Sequence, residues 1–297
     1  MNLTNNKKAK VKENAEKYVQ YVSRDYSLRD HDITIDALAT PKIVPQIVYH
    51  HVRDIRRNNV LEIYVIPSDQ KLINDTLEES LIHKPELIDF YLKEGTRVTN
   101  NLLKMTKFDL SKITPSKSEA FALLKKAKIA WDEFGSFIEF THRIGHINKI
   151  KLPEKQLLQL GKFHDERKII FVSFFEYLDR ICEKIAANTA IENKKLRFLT
   201  YKEILSFEQR EFDIKWINYH QNLREKNYIY EVNNGNSKII DENFEEEFKK
   251  TMTRISAPTV SLEGKSAYED IVRANAIVLT QAQFKNIKKK MFLVRFW

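Results

Sequence analysis

Two long apolar-striped stretches run back to back between Ser116 and Ile185, and they set what this chain can fold into. The first starts at Ser116 or Ser118 and carries Ala120, Leu123, Leu124, Ala127, Ile129, Ala130, Phe134, Phe137, Ile138 and Phe140. The second begins at Leu152-Pro153 and carries Leu157, Leu160, Phe163, Ile170, Phe174, Tyr177, Leu178, Ile181 and Ile185. Spacings of three and four put such residues on one face of an α-helix, so each stretch predicts a long helix with a buried side. A break containing Gly145 joins them, which predicts an antiparallel helical hairpin.

Composition agrees. The 297 residues hold only 6 Gly and 7 Pro, too few for a many-turned β protein. An apolar content of 42% is enough for a sizeable core, and the length leaves room for two domains. Cys182 is the single cysteine, which excludes an internal disulfide and a multi-cysteine zinc site. A reducing compartment fits that usage, so a cytoplasmic location is expected. Residues 1–15 are polar and lack the apolar centre of a signal peptide. Ile169 to Phe175 is the most apolar run and is too short to cross a bilayer, so no membrane partner is expected. The formal charge of +9 suits either a phosphate-bearing partner such as nucleic acid or simply a solvated basic surface.

Taken in order, Lys7 to Tyr21 predicts a polar helix with a thin stripe of Val11, Ala15, Tyr18 and Val19. Arg24 to Leu28 reads as a break, and His31 to Ala39 fits helix or strand. Lys42 to His51 predicts an edge strand, since Pro45 cannot donate to a ladder. Val60 to Ile66 is the clearest strand, β-branched and closed by Pro67, with Arg56 to Asn59 as the turn before it. Helices are expected from Ser68 to Leu81 and from Pro85 to about Met105. Thr200 and Glu203 have capping-box spacing. Glu208 to Glu225 reads as helix. Tyr228 to Val232, Asn233-Asn-Gly-Asn236 and Lys238 to Ile240 predict a hairpin, and Phe244 to Met252 another helix. Strands are expected at Thr259 to Leu262, Ile271 to Leu279 and Met291 to Phe296. The fold class expected is α+β and mainly helical.

Candidate chemistry centres on histidine and arginine. His50 and His51 stand beside Arg53, Arg56 and Arg57, a basic cluster whose donors suit a phosphate and whose composition equally suits a solvated hairpin edge. His142 and His146 lie four apart, as on one helix face, but no carboxylate motif accompanies them, so no metal is expected. His164 and Arg167 sit in a charged helix turn that reads as acid/base chemistry or as ordinary surface pairing. Trp216, Tyr219, Tyr228 and Tyr230 near Arg210 and Arg224 offer either a stacking platform or core. Cys182, between Ile181 and Ile185, reads as a small packed hydrophobe. Six glycines leave little room for a phosphate-cradling loop, and no cofactor is expected.

The order of several short segments resembles the phosphoenolpyruvate-utilising enzymes, the phosphoenolpyruvate synthase and pyruvate phosphate dikinase group, in prokaryotic members that lack the nucleotide-binding part. The segments are Arg24-Asp-Tyr-Ser-Leu28, Phe90-Tyr-Leu, Leu103 to Leu110, His164-x-x-Arg167, Phe198-Leu-Thr-Tyr-Lys-Glu-Ile204, Gly264-x-x-Ala267, Phe284, Ile287 and Phe292-Leu-Val294. Asp270, Ala274, Lys290 and Arg295 depart from the glycines and threonine usual there. The Gly-Gly-x-x-Ser-His segment that carries the phosphoacceptor histidine is absent. The resemblance implies three parts: an N-terminal α/β portion over 1–112, a helical bundle with a linker hairpin over 113–256, and the start of a truncated swivelling domain over 257–297. It implies a truncated or non-catalytic relative of phosphotransferases, acting with a separate nucleotide-binding or phosphohistidine-bearing partner. The alternative is a basic helical scaffold that binds nucleic acid or protein. A partner chain completing the C-terminal sheet is a further expectation, because an open strand edge invites pairing.

Overall fold

The computed structural model describes residues 17–24, 26–57, 60–145, 147, 152–189, 191–255, 263–265 and 271–273. The chain divides into two compact units, Met1–Ile255 and Ser256–Trp297. In chain order the first unit contains β1 (Val19–Arg24), α1 (Leu28–Ala39), β2 (His51–Arg57), β3 (Val60–Val65), α2 (Pro67–His83), α3 (Leu87–Thr106), α4 (Lys117–Gly145) and α5 (Glu154–Ala187). After these come α6 (Asn193–Leu196), α7 (Tyr201–Ser206), α8 (Ile214–Lys226), β4 (Asn227–Asn233), β5 (Asn236–Ile240) and α9 (Phe244–Met252). The protein is α+β and mainly helical, with nine α-helices among the described residues. In the second unit β6 (Glu263–Lys265) pairs antiparallel with β7 (Ile271–Arg273). The rest of the expected swivelling-domain start, including Thr259 to Leu262 and Met291 to Phe296, lies outside the described residues.

The first unit is built on one antiparallel sheet of order β1-β3-β2-β4-β5. The N-terminal hairpin and the later hairpin are therefore neighbours, joined where Asp54 lies opposite Tyr230 and Arg56 opposite Tyr228. The β4–β5 turn uses Asn234 at φ 48° and Gly235 at φ 78°. Two consecutive left-handed residues make the tight turn that matches strand twist, and Asn-Gly is the pair that tolerates it best.

Strand side chains alternate between faces, and here both faces are covered. Val52, Leu61, Ile63, Val65, Tyr228, Tyr230 and Val232 join the main core beneath the helices. Ile55, Tyr64 and Ile229 pack with Phe244 and Phe248 of α9 on the other side. Helices α4 and α5 meet through an aromatic spine in which Trp131 stacks on Phe174 at 4.2 Å and 16°. Phe171 meets the same indole edge-on at 5.1 Å. Helix α1 lies between sheet and bundle and is buried on nearly every side. It approaches α4 so closely that a Cβ on Gly135 would fall 2.5 Å from Ala37 Cβ.

Four local expectations change. The helix expected from Glu208 starts only at Ile214, where the Asp213 side chain accepts from the Trp216 amide and caps it. Val19–Arg24 is a strand, not the end of a helix from Lys7, because pairing with β3 outweighs the weak helical stripe. Residues 1–16 lie outside the described residues. The strand expected over Lys42–His51 starts only at His51. Before it, Val44 and Ile47 are fully buried but sit in a turn, closed by Ile47 N–H donating to the Val44 carbonyl at 3.1 Å. Apolar content there reflects packing of a loop, which strand periodicity does not separate from a ladder. Arg56 and Arg57, expected in a turn, end β2.

Candidate functional site

A cavity of about 580 Å³ lies between the helix-facing side of the sheet and α1, α4 and α5. Its walls are largely apolar: Val22, Val52, Ile63 and Val65 from the sheet, Ile35 and Leu38 from α1, Ile138 from α4 and Phe171 from α5. Polar groups collect at two places on this wall.

The first is built by a bulge. In β1, Gln20 lies opposite Tyr64 and Val22 opposite Ile63, so Tyr21 is an extra residue. A bulge re-aims its side chains, and here Tyr21 and Val22 both line the cavity. Tyr21 donates its hydroxyl to Glu139 Oε2 at 2.8 Å, and Tyr49 donates to the same oxygen at 3.2 Å. Arg143 donates through Nη2 to the Tyr49 hydroxyl. Its Nε lies 3.5 Å from Glu139 Oε2. Burial and the adjacent Glu139 charge push both phenols well above their ordinary range, so they remain neutral donors. Beside this cluster His142, Arg167 and Lys168 bring basic groups to the cavity wall. Arg167 is anchored by donating to the Ile138 carbonyl.

The second polar place is His31. Its Nε2 lies 2.5 Å from Asp54 Oδ2, and the two side chains are 1% and 0% exposed. The Tyr230 ring meets the imidazole edge-on at 5.6 Å. Burial pushes the Asp54 carboxyl up, opposed by attraction and a hydrogen bond from His31. The other ring nitrogen, Nδ1, has no partner among the described residues. Leaving one buried polar atom unpaired costs about 1–3 kcal/mol.

The placement of His31 follows from the helix that carries it. Successive residues of α1 point about 100° apart, so its charged run Arg29-Asp30-His31-Asp32 reaches several neighbours. Arg29 donates to Asp30 and, at 2.7 Å, to Asp179 of α5. Asp32 accepts from the Tyr230 hydroxyl at 2.7 Å and from the Tyr201 amide of α7 at 2.8 Å. One turn further on, Asp36 accepts from Lys128 of α4 at 2.5 Å.

The other candidates fall in several places. Strand alternation divides the basic cluster: Arg56 faces the bundle and donates to the Tyr26 carbonyl at 3.1 Å, whereas Arg53 and Arg57 face α9. Arg53 is bound by Glu231 and Thr251, and Arg57 lies over the Phe248 ring at 4.8 Å. His51 Nδ1 lies 3.2 Å from Asp69 Oδ2, and its ring centre is 6.4 Å from that of His50. The five residues do not converge on one point. His142 is exposed and His146 lies outside the described residues. His164 Nδ1 is 3.3 Å from Thr141 Oγ1, and burial together with Arg167 and Lys168 lowers its pKa. Tyr228 and Tyr230 are buried in the sheet, while Tyr219 is exposed. Trp216 instead packs on His220 and beneath Arg224. Cys182 is buried, and burial pushes its thiol up.

Tyr21, Tyr49, Asp54, Glu139 and Arg143 were not singled out by sequence reasoning. Asp54 alone left a trace, a lone carboxylate within the basic run His50 to Arg57. Comparison of the chain with protein-family models, curated proteins and solved structures finds no match.

Proposed function

We propose that the first unit binds a small molecule in the cavity between the sheet and α1, α4 and α5. The observation that carries this reading is the cavity itself: apolar walls with a few converging polar groups. Ligand sites of this kind occupy about 300–1,000 Å³. The walls favour an apolar body. His142, Arg167 and Lys168 favour an anionic head group, since Glu139 already accepts from two phenols. The dye 8-anilinonaphthalene-1-sulfonate has both features and serves as a probe. The folded protein is expected to bind it saturably, and Val22→Trp, which fills the cavity from the edge strand, to abolish that binding while melting cooperatively. Undiminished binding by Val22→Trp would remove the reading.

A relation to phosphoenolpyruvate-utilising phosphotransferases is a second reading. It is supported by the order of the resembling segments. Reading the gene beyond the Trp297 codon tests it. An in-frame Gly-Gly-x-x-Ser-His segment supports the relation, and a verified stop followed by unrelated sequence sinks it.

A further inference from the structure

We infer that His31 Nδ1 is the hydrogen-bond acceptor for a hydroxyl group of the molecule bound in the cavity, so that the ligand class is an apolar carboxylate or phosphate bearing an alcohol at its far end. The inference rests on the cavity reading above and adds a chemical requirement to it.

In the contact of His31 Nε2 with Asp54 Oδ2 at 2.5 Å, an ionised Asp54 can only accept; with a neutral ring the proton is then on Nε2 and Nδ1 is left as an acceptor. The ring is held by Asp54 on one side and by the edge-on Tyr230 ring on another. Nδ1 is buried and has no partner among the described residues. His31 lines the cavity. A fixed, buried and unanswered acceptor is matched by a ligand O–H, because buried polar groups are normally paired.

The basic groups stand at the other end. Arg167 donates to the Ile138 carbonyl, the neighbouring Glu139 accepts from Tyr49, and the Tyr49 amide donates to the Leu38 carbonyl. Arg167 therefore stands toward Leu38, seven positions and roughly 10 Å along α1 from His31. An anion at one end and an alcohol at the other fit that separation.

Decanoate and 10-hydroxydecanoate form a matched probe pair. By calorimetry on the full chain, the hydroxy acid is expected to bind about tenfold tighter, the worth of one good hydrogen bond. With ¹⁵N-labelled histidine, the Nδ1 resonance of the free protein is expected at the unprotonated position and shifts only with the hydroxy acid. In the double variant His31→Phe/Asp54→Leu, which leaves neither partner charged and unpaired, the preference is expected to shrink to within about twofold. The nuclear resonance measurement needs no variant and stands if that one fails to fold. Equal affinities with an unmoved Nδ1, or a protonated Nδ1 in the free protein, would overturn the inference and leave the cavity reading intact. So would binding of neither acid while the dye still binds in a Val22→Trp-sensitive manner. Dye binding that ignores Val22→Trp would bring down both.

Discussion

Arg224 of α8 and Glu203 of α7 form a two-pronged ion pair, with Nη1 2.7 Å from Oε2 and Nη2 2.9 Å from Oε1. The same guanidinium donates through Nε to Asp241 at 2.6 Å and through Nη1 to the Phe198 carbonyl at 3.0 Å. Glu203 also closes the capping box with Thr200 that starts α7. One buried arginine thus ties a helix start, a second helix and the chain after β5 together.

Arg224→Ala is expected to destabilise the fold by about 3–5 kcal/mol, because it leaves two carboxylates with their charges uncompensated. Arg224→Lys keeps the charge but loses the planar fork, and is expected to recover only part of that loss. Urea unfolding of the two variants beside the wild type measures both. Equal stability of wild type and Arg224→Ala would show that the network is not a structural tie.

The Asp241 carboxyl gives this network a pH signature. Burial opposes its charge, but hydrogen bonds from His220 and Arg224 win and hold its pKa below the ordinary value. A carboxylate depressed in the fold stabilises at pH above its unfolded pKa of about 3.9, and that contribution fades as pH falls through the folded value. The stability gap between wild type and Asp241→Asn is therefore expected to be constant above about pH 5 and to close below about pH 4. Unfolding curves at stepped pH read it out, and a gap that widens on acidification would reverse the sign.

Gly135→Ala tests the approach of α1 to α4. The added methyl would meet Ala37 Cβ at 2.5 Å and the Ala37 carbonyl oxygen at 2.9 Å. Backbone cannot yield as a flexible side chain can, so a loss of about 1–3 kcal/mol is expected despite the better helix propensity of alanine. Gly161→Ala on α5, where nothing lies within 4 Å, is expected to be neutral or stabilising. Thermal melts of the pair separate crowding from propensity.

Arg53 and Arg57 share a strand face and differ in depth. Arg53 is buried against Glu231 and Thr251, with Lys238 2.8 Å from Glu231 as a second cation. Arg53→Ala is expected to cost about 2–4 kcal/mol. Arg57 is exposed over Phe248, and Arg57→Ala is expected to cost no more than about 1 kcal/mol. Chemical denaturation gives the comparison. Equal losses would mean that depth on the shared face does not decide their roles.

Where periodicity and end signals coincide, sequence and structure agree closely. Phe244–Met252 is a helix with its three glutamates in the first turn, and the Asn-Gly turn closes the expected hairpin. The capping box at Thr200 is formed as its spacing implied. The misread segments share a cause: their state is decided by a distant partner. Val19–Arg24 becomes a strand because β3 lies beside it. Helix α1 defeated the pattern because Arg29, Asp30, His31 and Asp32 are buried along with Leu28 and Ile33, leaving no polar face to detect. The cavity was illegible for the same reason. Glu139 and Tyr21 stand 118 positions apart, and a one-residue bulge brings them together.

The β2–β4 pairing also has a history within each molecule. Arg53 must wait for Glu231, 178 positions later. At about 5–20 residues per second, that edge stays open for on the order of ten to forty seconds of synthesis. An open edge strand is a template for any passing chain, and like charges along it discourage such pairing. Arg53, Arg56 and Arg57 set three like charges along that edge while it waits, and charge of that kind on either face disfavours pairing with a premature partner.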